Sequence, residues 1–222
     1  MGLNFLILYA ILYLKIFEKK EPVQFRFGNG GNMHKENISA AEALKKLKEG
    51  NEKYLSAKTS IGDVSPELRK DTCENGQSPY AVVVTCSDSR VIPESIFMAG
   101  IGELFVIRVA GNVMDKHQLG SVEYAAGHLG CKLVVVLGHE KCGAVDAAMN
   151  SKPDGYVKFI TDEIKKAIGD EKDALRASCL NVERSVSVIK DSLNISDSDG
   201  DDAVKVCGAL YYIGSGEVKF LD

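Results

Sequence analysis

No block of lysine and arginine occurs anywhere in the 222-residue chain, whose formal net charge is -4. The electrostatic footprint of a nucleic-acid binder is therefore missing. No apolar run approaches the about 20 residues needed to cross a bilayer. The longest, near the amino terminus, is unbroken over 5–14 and extends over 3–17 with interruptions at Asn4 and Lys15, so a membrane span is not expected. A secretory signal is not expected either. No basic residue precedes it, and Glu18-Lys19-Lys20-Glu21 follows it where small residues would form a cleavage site. Gly2 fails as a myristoylation acceptor because position 6 is Leu6 rather than Ser or Thr. No G-x-G-x-x-G follows a strand pattern, which argues against a dinucleotide fold. The acidic stretch 197–202 lacks the spaced ligands of a calcium loop and reads as a solvated turn.

Hydrophobic residues make up 45% of the chain and charged residues 26%, ordinary values for a soluble globular protein. There is no internal repeat and no interdomain linker, so one domain with a sizeable core is expected. The six cysteines are widely spread in a chain too long to need disulfide staples, which points to reduced thiols and a cytoplasmic location. Asn29-Gly30-Gly31-Asn32 stands directly before Met33. Glycine codons begin with two guanines, so this stretch can encode a ribosome-binding site ahead of a start at Met33. On that reading residues 1–32 are a leader or a mis-assigned start, and 33–222 form a single α/β domain.

Ser39-Ala40-Ala41-Glu42 has capping-box spacing. Ala43, Leu44, Leu47, Tyr54 and Leu55 then fall on one helical face, predicting an N-terminal helix of about four turns. The polar stretch 61–79, with two prolines, is expected to cross the surface. The short β-branched run 80–85 has the pattern of a buried parallel strand, and 103–110 and 133–137 read as a second and a third strand. Helices are expected at 93–98, 119–129, from 142 to 149, and across 156–193 with a break near Gly169-Asp170. Two closing strands, 204–213 and 217–221, are joined by Gly214-Ser215-Gly216. Alternating strands and helices predict an α/β fold: a mostly parallel central β-sheet flanked by helices, with an N-terminal helical arm.

Cys86 and His139 fall at the carboxyl ends of two of these strands, where reactive groups gather in open α/β sheets. With Cys142 three residues beyond His139, they make a Cys–His–Cys set suited to zinc with its fourth position left free. Bound zinc lowers the pKa of water toward neutrality and yields a hydroxide nucleophile. Asp88 is either a fourth ligand or an acceptor that orients the nucleophile. A bidentate pairing with Arg90 would hold it off the metal. The remaining histidines, His34, His117 and His128, lack metal-ligand spacing.

Cys86-Ser87-Asp88-Ser89-Arg90, Gly102-Glu103-Leu104-Phe105, Ala110-Gly111-Asn112, Ser121-Val122-Glu123-Tyr124-Ala125 and Gly138-His139-Glu140-Lys141-Cys142-Gly143-Ala144 occur in an order and spacing that resemble the beta-class carbonic anhydrases. The closing segment from Val206 to Tyr212, with Gly216, Val218 and Phe220, is similar to that family's last strands. The resemblance covers about residues 35–222. It implies reversible hydration of CO2 to bicarbonate and a proton, one Zn2+ per chain on Cys86, His139 and Cys142, and Asp88 with Arg90 as the catalytic pair. It also implies a homodimer or homotetramer with the N-terminal helix packed on a neighbouring subunit. Certain members bind bicarbonate at a second site that uses a tryptophan. This chain has none: Val83 stands at that place, while Arg108 matches the site's arginine. Two rivals remain at this point: a CS2 or COS hydrolase on the same scaffold, and a zinc-binding protein without turnover. The intact Asp88 and Arg90 argue against the second.

Overall fold

The computed structural model describes residues 38–59, 62–193 and 203–221. The leader reading for 1–32, His34 and the acidic stretch 197–202 lie outside the described residues. A five-stranded sheet in the order β2-β1-β3-β4-β5 forms the centre. Strand β1 (Ala81–Thr85) lies parallel between β2 (Leu104–Arg108) and β3 (Leu133–His139). Strand β4 (Lys205–Tyr211) continues the parallel set, and β5 (Val218–Leu221) returns antiparallel to it. β1 and β3 are buried along their whole length, as expected for β-branched strands covered on both faces.

Helix α1 (Ala40–Ser56) starts at the expected capping box, with both the Ser39 and Glu42 halves formed. It buries Ala40, Ala43, Leu47, Gly50 and Asn51. Leu55, placed on the apolar face by periodicity, is instead exposed. The helix packs on its own chain. Ala43 and Leu47 join the core on one side of the sheet, and Asn51 donates to the carbonyls of Ile96 and Gly216.

Residues 62–79 cross the surface as expected and include a helix, α2 (Pro66–Asn75), started by the Ser65 side chain and by proline in its first turn. It buries no residue, so it carries no apolar stripe to betray it. Short helix α3 (Pro93–Ile96) follows β1, and a 3-10 turn (Ala110–Asn112) follows β2. Helix α4 (Lys116–Gly127) begins three residues before its expected start, at a capping box made by Asp115 and Gln118. Helix α5 (Gly143–Asn150) leaves directly from Cys142. Helices α6 (Val157–Ile168) and α7 (Ala174–Leu193) are separated at Gly169, where the break was expected.

Helix α7 lies close on the sheet because glycines make room for it. A Cβ on Gly138 or Gly208 would stand 2.4 or 2.7 Å from Val182, nearer than packed carbons tolerate. Among the described residues no helix is long and apolar enough to cross a membrane.

Candidate metal centre

The chain runs from β1 out to β2 and back to β3, so β1 and β3 leave the sheet's centre in opposite senses. This is the switch point at which α/β sheets open a crevice beyond their carboxyl ends. Cys86 leaves β1 there, His139 ends β3, and Cys142 caps α5. The three side chains are buried, and their ligand atoms lie within 4.8 Å of one another. No other group of this kind occurs among the described residues.

Each member is held from outside the trio. His139 Nδ1 lies 2.8 Å from the Glu140 carbonyl. A carbonyl only accepts, so Nδ1 carries the proton and Nε2 turns inward with its lone pair. Nε2 is buried and has no hydrogen-bond partner. An orphaned buried imidazole nitrogen beside two sulfurs is the state a metal ligand leaves behind, because leaving such a group unpaired is otherwise costly. The residues therefore fit a soft, tetrahedral divalent ion. Glu140 is itself anchored: its N–H donates to the Tyr211 carbonyl, and its carboxylate accepts from the Gly214 N–H.

Cys86 Sγ accepts the Gly111 N–H at 3.2 Å. That approach requires glycine, since φ is +69° and a Cβ there would stand 2.7 Å from Ile164. The neighbouring Cys142 thiol brings Cys86 down to about 4 against the effect of burial, with help from His139 and the Gly111 N–H. Cys142 is pushed well above the ordinary thiol value by Cys86 and by burial. Burial would lower His139, but the Cys86 sulfur and Glu140 carbonyl outweigh it and the net direction is up. Lys141, between His139 and Cys142, adopts φ +53°, a left-handed kink that lets two ligands three residues apart face one point.

Asp88 and Arg90 form the expected bidentate pair: Nε to Oδ1 at 2.9 Å and Nη2 to Oδ2 at 2.7 Å. The Arg90 bonds hold the Asp88 carboxyl far below the usual carboxylate range, against a desolvation effect of the opposite sign. Arg90 Nη2 also donates to the Lys141 carbonyl at 3.2 Å, tying the β1 loop to the segment between His139 and Cys142. Asp88 Oδ2 stands 3.9 Å from His139 Nε2, beside the ligand atoms without joining them.

All five residues singled out in the sequence thus meet at one place. His117 and His128 are exposed, and Cys131 is buried as core. Sequence reasoning missed Glu140 and the actual use of Arg108, whose guanidinium donates to the carbonyls of Cys86 and Asp88. Both act through backbone groups that no residue pattern displays.

The profile of the family described as carbonic anhydrase matches residues 81–218. Carbonic anhydrase 2 of Mycobacterium tuberculosis is 41% identical over 137 residues, covering 60% of this chain and 66% of that protein. The chain thus matches just under two thirds of that relative's length. The crystal structure of the beta-carbonic anhydrase CafA of Aspergillus fumigatus has a TM-score of 0.60 at 27% identity, covering 82% of this chain and 90% of CafA. A tetrameric beta-carbonic anhydrase of Sordaria macrospora shares the fold with a TM-score of 0.64 at 24% identity, over 82% of this chain and 94% of its own. With the profile spanning both ligand segments and the sheet between them, the chain belongs to the carbonic anhydrase family, in its beta class.

Proposed function

We propose that this chain catalyses the reversible hydration of CO2 to bicarbonate and a proton, with one zinc ion per chain held by Cys86, His139 and Cys142. The observation that carries the reading is the unpartnered His139 Nε2, buried between two sulfurs and faced by the Asp88 carboxylate. A zinc ion in such a set supplies a Lewis acid that makes water nucleophilic near neutral pH.

The chain's own residues do the rest. Asp88, kept ionised by Arg90, is an acceptor that orients the reacting water. Its low basicity prevents it from storing the product proton, which leaves to buffer. Arg90 fixes the carboxylate plane and restrains its approach to the ligand atoms. Gly111 and Glu140 hold Cys86 and His139 in ligand geometry.

We also propose an even-numbered homo-oligomer in the cytoplasm. Support for assembly comes from Ile92 and Leu55, 46% and 50% exposed, which line an open groove of about 490 Å³ just past the Arg90 turn. Support for a reducing compartment comes from six cysteines with no disulfide among them.

Stopped-flow CO2 hydration on zinc-loaded protein tests the activity. Rapid, zinc-dependent hydration is expected. Asp88→Asn should keep its zinc and lose about a hundredfold or more in turnover. Absence of hydration with zinc bound would overturn the reading, and sulfide release from CS2 in its place would assign the chain to the CS2/COS chemistry.

A further inference from the structure

We propose that Arg108 is a positioning residue for the reaction: it fixes the backbone that carries Asp88, and so sets where that carboxylate stands. The inference rests on the carbonic anhydrase reading above. Arg108 is the last residue of β2 and lies opposite Thr85 of β1. Its Nε donates to the Cys86 carbonyl at 3.2 Å and its Nη2 to the Asp88 carbonyl at 2.7 Å. One planar fork thus spans Cys86 to Asp88, taking the carbonyls on either side of Ser87.

The same two strand ends exchange further bonds. Val109 N–H donates to Thr85, Ser87 N–H to Val109, and Gly111 N–H to Cys86 Sγ. Backbone pairing holds the loop as far as Ser87. Beyond it, the Asp88 carbonyl is secured by Arg108 and by the Val91 N–H, while its own N–H faces the Cys86 sulfur. Arg90, on the same loop, grips the carboxylate and reaches the Lys141 carbonyl beyond β3. Arg108 is the arginine that reaches the Asp88 main chain, and it does so from the edge strand β2. Its Nε and Nη2 are committed to carbonyls, so it orients Asp88 through the main chain.

The test is a double-mutant cycle on the zinc-loaded chain. Arg108→Met should lower kcat about 10- to 100-fold, with zinc content and KM unchanged. In an Asp88→Asn background the same substitution should cost almost nothing, since the residue it positions is already disabled. Arg108→Lys should restore part of the rate, because an ammonium reaches one carbonyl but cannot fork. If Arg108→Met does not fold, the lysine variant carries the cycle. Full turnover in the variants would overturn the proposal. So would an equal loss in both backgrounds, or a loss expressed only in KM or in zinc release.

Should the parent chain fail to hydrate CO2, the activity reading falls, and Arg108 is judged on cobalt(II)-loaded protein. A visible absorption band altered by Arg108→Met in the parent but not in Asp88→Asn supports the positioning role. A band unchanged in both removes it.

Discussion

Cys86 and Cys142 share one proton between two buried sulfurs. Cys86 holds the charge because Cys142, His139 and the Gly111 N–H all stabilise a thiolate there, and Cys142 holds the proton because a second buried negative charge beside the first is expensive. A divalent ion needs both sulfurs as thiolates and His139 Nε2 bare. Metal uptake must therefore expel the Cys142 proton, and also the one that the raised His139 retains at lower pH. Raising the pH removes these competitors, so affinity rises with pH: about tenfold per pH unit near neutrality for one proton released, and more steeply where His139 also titrates. Competition against a chromophoric chelator at several pH values measures this, and a flat affinity would show that the sulfurs are not the ligands. Cys86, Asp88, Arg90, His139 and Cys142 were legible in the sequence because their chemistry resides in side chains with fixed spacing. Arg108 and Glu140 were not, because Arg108 recognises main chain brought near by strand pairing and Glu140 acts on His139 through its own carbonyl, whatever its side chain. Lys141 is similar: nothing in its side chain announces the left-handed turn it takes between two ligands.

Among the elements, α1 is pinned to the rest of the molecule by one buried amide. Asn51 Nδ2 donates to the Ile96 and Gly216 carbonyls, and Oδ1 accepts the Val218 N–H at 2.9 Å. One side chain thus joins α1, the end of α3 and the hairpin between β4 and β5. Asn51→Ala would leave these main-chain groups unpaired in a buried setting, at about 1–3 kcal/mol for a group of this kind. A total destabilisation of about 3 kcal/mol is expected in urea unfolding. A loss below about 0.5 kcal/mol, the usual range of exposed sites, would show that water replaces the amide. Gly50 beside it admits the α3 backbone, since a Cβ would stand 1.9 Å from the Phe97 carbonyl oxygen. Periodicity could show that α1 has an apolar face, but not that Gly50 and Asn51 belong to its buried surface or that Leu55 does not. Strands β1 and β3 were legible because burial on both faces demands continuous apolar runs. Helix α2 escaped because it buries nothing, although Ser65-Pro66 is a good helix start. The start of α4 escaped because Lys116-His117-Gln118 is polar, even though Asp115 and Gln118 have capping-box spacing.

For the molecule as a whole, the candidate centre sits where three segments converge. Cys86 belongs to the loop after β1, His139 to the end of β3, and Cys142 to the start of α5. An ion bound to all three links the middle of the sheet to the helix layer that α6 and α7 complete. The unfolded chain scatters these ligands, so the ion favours the folded state by mass action. The gain is about 2.7 kcal/mol at a free metal concentration a hundredfold above Kd. For a domain of about 190 residues, each kcal/mol moves Tm by about 2–4 °C. Removing zinc with a chelator should therefore lower Tm by about 5–11 °C, and restoring zinc should recover it. Cys142→Ser, which removes one ligand with little change of volume, should start at a lower Tm and respond far less to zinc or chelator. Differential scanning calorimetry with and without chelator measures both. An equal zinc response in parent and variant would place the ion elsewhere on the chain, whereas a response confined to the parent ties the stability of the sheet's centre to the same three residues that make the chemistry.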